Sequence, residues 1–381
     1  MAVSQAQIQA NNQKWLLSST LRDFAMPSTK FTQAGEEIDI ELQSVPGWVE
    51  YVDLQVYADV AITVATGGSA PSLSQFAPWN LFRRVALSLG GGPFQNVSPY
   101  FYFLRELAMS PGWNPGVAGP NSYPYADTVY SVPAVNAPAG ATTDNYWLWT
   151  IRIPLNVQHG TTIGYLPVGA ATTVATLRLT VAPALAGTDQ YFNPLVGGTN
   201  ASAAIGTTQT SFVQPTIWYR TTPPSVAGKL PTPTIGAVLN VQEANWPVST
   251  TGTLMPMRFK DPFRYLRLWH IVMMNGAPDT TDVTNFEFDY LPGYPKDQWT
   301  AVNIQEYFYR TRRRYRQDLP VGVFVEDLWA GSDPANPNGN EVVDATVFQT
   351  MQTQIAVSQT TTTGTNPRVI TYAEALAPVG F

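Results

Sequence analysis

The amino-acid sequence predicts an all-β protein made of two β-sandwich domains in tandem. Apolar and polar residues alternate strictly in short runs, for example at 37–42 and 51–57, and turn-forming residues separate these runs. Such alternation is typical of strands that bury one face in a sandwich. Only 13% of the residues are charged, while 28 Gly and 32 Pro supply turns. A proline-rich segment then divides the strands into two groups.

The candidate strands lie on either side of that segment. In the first group they are at 37–42, 51–57, 61–64, 146–153, 176–181 and 212–219, and in the second at 237–241, 265–273, 285–290, 322–328, 342–348, 354–357 and 368–372. Proline cannot donate a hydrogen bond to a central ladder, so the proline-rich segment indicates a linker. We therefore expect an N-terminal helical arm at 1–20, a first sandwich at 21–222, a linker at 223–236 and a second sandwich at 237–381.

Residues 3–18 contain no Gly or Pro and are rich in Gln and Ala, which predicts a short helix. Its apolar patch is narrow and comprises Ile8, Trp15 and Leu16. One interpretation is a helix docked on its own domain or on a neighbour. The other is an arm that contacts a membrane or an adjacent subunit.

Each half also contains one segment with a helical pattern. The first lies around 100–109 and stops at Pro111. The second is predicted over 298–317, with Asp297 as its N-cap and Pro320 just beyond its end. Its apolar stripe recurs at helical spacing and consists of Ile304, Tyr307, Phe308, Thr311 and Tyr315. The residues expected to anchor this segment in the second core are Trp299, Tyr307, Phe308 and Tyr315.

Five arginines crowd the end of this predicted helix, namely Arg310, Arg312, Arg313, Arg314 and Arg316. On a helix they flank the apolar stripe on two sides and do not form one continuous basic face. That arrangement favours ion pairs with carboxylates of the same protein or of a neighbouring subunit. Contact with nucleic acid is the alternative. A net charge of −6 opposes it, because phosphate binding needs a basic surface.

Residues suited to catalysis or metal binding are sparse. The chain has no cysteine, which excludes disulfides, Cys-ligated zinc and a thiol nucleophile. His159 and His270 are the only histidines, and neither belongs to a pattern of metal ligands or to a recognisable triad. The adjacent carboxylates at 36–37 and 326–327 lie at strand ends, where solvent is their expected environment. We therefore expect no enzyme activity and no cofactor.

Several segments, in chain order, resemble the tectivirus-type major capsid proteins. The clearest runs from Thr311 through Arg314 and, three residues later, into Asp318-Leu-Pro-Val-Gly-Val and an aromatic strand. Trp299 upstream fits as well. Phe76-Ala-Pro-Trp-Asn-Leu-Phe-Arg-Arg-Val resembles the segment that leads into a first-domain strand of the family. The later strands of that domain are matched by Ile153-Pro-Leu with Gly164, and by Leu177-Arg-Leu. Loop lengths and the glycine turn at 90–93 differ from the family.

The resemblance implies a double jelly roll, with two tandem sandwiches of eight strands each. It also implies a homotrimer, a pseudo-hexameric capsomer that tiles the icosahedral shell of a tailless double-stranded DNA virus. The implied partners are neighbouring trimers, minor or penton capsid proteins and an internal viral membrane beneath the N-terminal helix, without sequence-specific nucleic-acid contact. Arg312, Arg313 and Arg314 would form interdomain or intersubunit ion pairs. The protein would be made in the host cytoplasm and reside in the virion shell.

The alternative function is a secreted β-sandwich that binds or degrades polysaccharides. Eleven tryptophans would suit stacking on sugar rings. Residues 1–21 lack the pattern of a secretory signal, and no facing pair of carboxylates can be identified. The capsid hypothesis is therefore preferred.

Overall fold

The computed structural model describes residues 5–378 apart from 91, 110–128, 132–134, 158–163, 167–173, 223–236, 249–253, 260, 262, 290–296, 301, 316–317, 329–342, 345–351 and 359–366. Within the described residues the chain is predominantly β, with three α-helices and one short 3-10 helix at Trp79–Leu81. The main strands form two sandwiches, which confirms the predicted all-β fold class.

The helices are α1 (Gln5–Ser18), α2 (Tyr100–Met109) and α3 (Ile304–Tyr315). The strands of the first half are β1 (Thr20–Ala25), β2 (Thr29–Lys30), β3 (Glu37–Leu42), β4 (Trp48–Ser69), β5 (Ser72–Leu73), β6 (Phe82–Leu89), β7 (Pro93–Val97), β8 (Val129–Ser131), β9 (Ala141–Pro154), β10 (Ala175–Val181), β11 (Ala186–Gly187), β12 (Leu195–Val196), β13 (Thr199–Ile205) and β14 (Phe212–Thr221). Those of the second half are β15 (Ala237–Pro247), β16 (Met255–Arg258), β17 (Arg264–Met274), β18 (Ala277–Pro278), β19 (Val283–Asp289), β20 (Asp297–Thr300), β21 (Val323–Asp327), β22 (Val343–Asp344), β23 (Gln352–Val357) and β24 (Arg368–Pro378).

The first sandwich has the strand order of a jelly roll. One sheet runs β1-β14-β4-β9, and the facing sheet runs β3-β10-β6-β7. All of these neighbours are antiparallel. The alternation seen in the sequence explains the layering, because the apolar residues of β3 are buried and the carboxylates between them are exposed. The described strands thus form the eight-stranded jelly roll that the resemblance implied.

The second sandwich has the same strand order. One sheet runs β15-β24-β17-β21, and the facing sheet runs β16-β23-β19-β20. Each jelly roll carries one helix between its fifth and sixth main strands: α2 follows β7, and α3 follows β20. The two helical segments found in the sequence therefore occupy equivalent places.

A parallel pairing joins the two jelly rolls into one body. Gln95 and Asn96 of β7 pair with Val241 and Gln242 of β15. The common sheet therefore runs β3-β10-β6-β7-β15-β24-β17-β21, with β3 and β21 at opposite ends. At the usual strand spacing it is roughly 35 Å across. Beyond its first residue β17 is buried throughout, since elements cover both faces of the sheet there.

The predicted strands at 51–57 and 61–64 are parts of one strand. β4 has 22 residues and pairs along its length with β9, β13 and β14. Residues 58–60, which separate the two predicted strands, stay in β4 because strands on both sides of β4 form backbone hydrogen bonds with it. The linker predicted at 223–236 lies outside the described residues, and the domain boundaries stay predictions.

The helix predicted over 298–317 is too long at its start. Residues 297–300 form β20, which pairs with β19, so Asp297 is not a helix cap and Trp299 lies on a strand opposite Phe286. The chain then turns at Asn303, whose side-chain oxygen accepts from the Thr300 amide. Backbone pairing with β19 and the contact of the Trp299 ring with Tyr307 (5.7 Å between centroids) outweigh the local helical pattern of these residues.

Candidate functional site

Helix α3 closes the edge of the second sandwich beside β21. The hydroxyl of Tyr307 donates to the Val325 carbonyl (3.0 Å) and accepts from the Val325 amide (2.6 Å). Its ring centroid lies 5.5 Å from that of Phe286 and 5.7 Å from that of Phe324. Tyr307 is only 4% exposed. Hydrogen bonds and aromatic contacts together therefore fix the helix on the sheet edge.

The last turn of α3 is also held. Tyr315 is buried, lies 6.2 Å from the Trp269 ring and donates a 2.6 Å hydrogen bond to Asp327. Phe308 is half-buried against Phe324. All four predicted anchor residues thus lie against the second core, with Trp299 contributing from β20.

Two of the predicted pairing arginines are engaged within their own chain. Arg312 forms a two-point ion pair with Asp318 (2.6 and 2.5 Å). Arg314 lies 2.7 Å from Asp327. Neither pair crosses between the sandwiches, because both carboxylates belong to the second half. Contacts of these guanidiniums with a neighbouring subunit stay a prediction.

The other arginines of the cluster differ in environment. Arg310 pairs with Glu306 one turn earlier, and its guanidinium lies 5.0 Å from the Trp299 ring centroid. Arg313 is exposed and takes part in none of the ion pairs formed among the described residues. Arg316 lies outside that part of the chain. Of the described arginines in the cluster, three therefore form local ion pairs, and Arg313 forms none with another described residue.

A buried chain of alternating charges connects α3 with α2. Asp327, next to Arg314, also lies 3.5 Å from Arg267 on β17. Arg267 lies 3.2 Å from Glu374 on β24, and Glu374 accepts a 2.9 Å hydrogen bond from Arg105 on α2. Glu374 is fully buried, and the side chain of Arg105 is 4% exposed. The chain of charges thus runs from the second jelly roll into the first.

The charge state of Glu374 follows from its neighbours. Burial favours the neutral acid, but Arg267 and Arg105 outweigh burial and hold the pKa of this carboxyl below its ordinary value of 4.5. Its ionised form therefore adds stability that is complete above about pH 4.5 and is lost as the pH falls through the lowered pKa. Arg105 also donates to the carbonyls of Asn156 (2.9 Å) and Val157 (2.6 Å), so its charge is well satisfied.

Further contacts cross between the two jelly rolls. They are the ion pairs Arg83–Glu243 (3.0 Å) and Arg368–Asp189 (2.7 Å) and the hydrogen bond between the hydroxyls of Tyr191 and Tyr372 (2.9 Å). The Phe192 ring lies between both arginines, with each guanidinium 4.8 Å from its centroid. The junction is therefore held by ion pairs and hydrogen bonds whose side chains are largely buried.

The sequence alone did not identify these junction residues as functional. The available signal was a single charge inside an otherwise apolar element, as in Tyr-Leu-Arg267-Leu-Trp and Tyr-Ala-Glu374-Ala-Leu. Charged side chains are rarely buried unless they are paired, so each such residue predicts a partner. Which partner it meets depends on strands more than 100 positions apart, as for Arg267 and Glu374.

In the described part of the N-terminal helix, Trp15 is the residue that docks it most closely on the first jelly roll. Trp15 is 2% exposed and packs edge-on against Trp48 and Tyr165, at 6.4 and 6.3 Å between centroids. Leu16 is half-buried, while Leu17 is 87% exposed. The side chain of Ile8 lies outside the described part. Contact of this helix with a membrane or a neighbour stays a prediction.

His270 has a structural environment. It is fully buried in the second sandwich, and its Nδ1 lies 2.9 Å from the Thr371 hydroxyl. Burial lowers the pKa of the imidazole to about 3, so the ring is neutral near pH 7. His159 lies outside the described residues. In the part of the chain that is described, no group of acidic or histidine side chains could hold a metal, and no helix is long and apolar enough to cross a membrane.

Comparison with known proteins gives a likeness of structure only. No protein-family model and no curated protein sequence matches the chain. The major capsid protein of Sulfolobus Turreted Icosahedral Virus matches with a TM-score of 0.64 at 14% identity, over 94% of this chain and 97% of that one. The PBCV-1 virus capsid matches with a TM-score of 0.57 at 10% identity, over 94% and 93%. The major capsid protein from bacteriophage PM2 matches with 0.53 at 9% identity, over 94% and 98%.

These matches cover nearly the whole chain, both jelly rolls included, so they concern the tandem arrangement and not one sandwich alone. At such low identity they establish the fold. The likeness to the tectivirus-type capsid fold expected from the sequence segments is thereby confirmed. The chain has the double jelly-roll fold of viral major capsid proteins.

Proposed function

We propose that this protein is a major capsid protein that forms the shell of an icosahedral virus particle. The observation that carries the proposal is the double jelly roll itself, matched along 94% of the chain by the capsid proteins of three viruses. The protein acts through its shape and its contacts, without chemistry. Its place is the capsid shell of the virion, after synthesis in the host cytoplasm.

The junction between the jelly rolls supports this role. A shared sheet and a buried network of charges from Arg105 to Arg314 fix the angle between the two halves. A shell repeats the same contacts many times, and association loses less conformational entropy when the unit is already rigid. The chain is therefore suited to act as a rigid subunit of a repeating shell.

The proposed trimer is the one that the capsid resemblance implies, and the two similar lobes of each chain support it. Three copies around a three-fold axis present six sandwiches, which form a pseudo-hexameric capsomer able to fill a hexagonal position in the shell. Permanent interfaces of this kind bury on the order of 2,000–5,000 Å². We place α1 at the inner side of the shell, where the exposed Leu17 would meet an internal viral membrane or an adjacent subunit, and minor or penton proteins at the vertices.

The oligomeric state tests the proposal. Light scattering coupled to size-exclusion chromatography should give a particle of three 41.7 kDa chains, about 125 kDa. Negative-stain images should show pseudo-hexagonal particles. A protein that stays monomeric at all accessible concentrations would contradict the capsomer.

A secreted polysaccharide-binding protein is not favoured. Its main support was the number of tryptophans, but several of them are core residues: Trp147, Trp149 and Trp269 are fully buried, and Trp15 and Trp79 are nearly so. Buried indole rings cannot stack on sugars. Binding of the soluble protein to a panel of polysaccharides should therefore be absent.

A further inference from the structure

The two ends of the common sheet carry opposite charges that lack a local partner. At one end α3 presents Arg313, and at the other β3 presents Glu41; both side chains are exposed, and neither takes part in an ion pair among the described residues. We propose that α3 of one copy docks on the exposed face of β3 of the next copy, with Arg313 paired to Glu41. The inference rests on the proposed trimer and names the contact that forms it.

The exposed face of α3 has the composition of an interface. Tyr309 is 65% exposed and lies one turn before Arg313, so the two side chains are neighbours on the helix surface. Val302, just before the helix, is 93% exposed. Tyrosine and arginine are enriched in protein interfaces, and exposed apolar surface such as that of Val302 and Tyr309 gains from being covered. This face points away from the second core, which holds the opposite side of the helix.

The exposed face of β3 is complementary. It carries the carboxylates of Glu37, Asp39 and Glu41. Arg178 on β10 pairs with Asp39 (2.7 Å) and reaches Glu37 (3.7 Å), so two of the three carboxylates have a local cation. Glu41 is the remaining one. Val174, which precedes β10 beside the end of β3, is 48% exposed and supplies an apolar surface next to it.

The positions of these faces require a second copy. α3 is bound to β21, and β3 is at the opposite end of the same sheet, roughly 35 Å away, so one chain cannot join its own two faces. Contacts between different surfaces of identical chains are head-to-tail and close into a ring when the rotation permits.

A charge exchange tests this contact in the full-length protein. R313E and E41R should each raise the concentration for half-assembly of the trimer by about tenfold or more, because each places like charges face to face. The double variant R313E/E41R should return to within roughly threefold of the native value, since the pair is restored with reversed polarity. Sedimentation velocity over a concentration series measures this directly.

The matched control is R258E, which reverses an exposed arginine on β16, in the other sheet of the second jelly roll, and should leave assembly unchanged. Circular dichroism should show that all variants are folded. Trimers of native stability in both single variants would overturn the proposed contact while leaving the capsid function intact. Impaired assembly in R313E and E41R without recovery in the double variant would also overturn it. A native protein that forms no trimer would instead contradict the proposed function.

Discussion

Glu374 lies between Arg105 and Arg267 without access to solvent. This arrangement determines how substitutions at the junction affect the stability of the protein. Removing two charges from water is costly, and their attraction offsets that cost only when the partners are in place. A buried ion pair of this kind contributes little to the net free energy of folding, and its main effect is to fix the relative positions of the elements that carry its partners. Loss of the shared carboxylate leaves two guanidiniums buried near each other.

The substitution E374Q should therefore lower the free energy of unfolding by about 3–5 kcal/mol, the usual cost of breaking a buried pair. Chemical denaturation followed by circular dichroism measures the change. The control is E37Q on β3, whose side chain is 58% exposed and whose effect should stay within about 0.5 kcal/mol. Equal effects of the two substitutions would contradict the importance of the network.

The buried, neutral His270 should make the protein less stable in acid. Its pKa is about 3 in the folded chain against an ordinary value of 6.5, so the unfolded chain binds a proton first as the pH falls. Stability is complete above pH 6.5 and should fall by up to about 1.4 kcal/mol per pH unit below it. The variant H270N should be less stable at pH 7 but should show a shallower decline between pH 6.5 and 4, measured by denaturant titrations. An unchanged slope would contradict this origin.

At the scale of elements, α3 shows how a short helix is fixed in an all-β protein. A helix of this length is marginal alone, so tertiary contacts must hold it. Tyr307 satisfies both backbone groups of Val325 at the edge strand β21 and thereby replaces a missing neighbouring strand. The preceding segment becomes β20 because its backbone pairs with β19 and its Trp299 packs against Tyr307 of the helix.

The substitution Y307F should therefore lower the free energy of unfolding by about 1–3 kcal/mol, because it leaves buried backbone groups of Val325 without a partner. Y309F removes the same atom from an exposed residue on the same helix and should change stability by less than about 0.5 kcal/mol. Thermal and denaturant unfolding compare the two variants. A similar loss for both would show that the hydroxyl of Tyr307 does not hold the helix.

For the whole molecule, the shared sheet couples the two jelly rolls. β15 has β7 of the first half on one side and β24 of the second half on the other. Separation of the halves would expose unpaired strand edges and leave Glu374 without Arg105. Neither half can therefore open without a large loss of hydrogen bonds and ion pairing.

Unfolding of the protein should accordingly be a single cooperative transition. Denaturation curves from circular dichroism and from tryptophan fluorescence should coincide, as expected when no intermediate is populated. R83M, which removes the Arg83–Glu243 pair at the junction, should shift this transition without splitting it. Two separate transitions in the native protein would show that the jelly rolls are independent domains.

The sequence by itself determined the fold class, the tandem arrangement and most strands, because alternating burial is local and leaves a period of two in residues such as those of β3. It also determined the anchoring stripe of α3. The resemblance in short segments then indicated the capsid fold. These features depend on residues that are close together in the chain, so local sequence patterns are sufficient to predict them.

Only the tertiary structure decided which charges meet. The dense arginine run, conspicuous in the sequence, resolves into local pairs with Glu306, Asp318 and Asp327, whereas isolated charges in apolar strands form the junction. Arg105 and Glu374 are paired only because the parallel contact of β7 with β15 brings α2 over β24. Pairing energies depend on distance and burial, which arise from the folded arrangement and not from spacing along the chain.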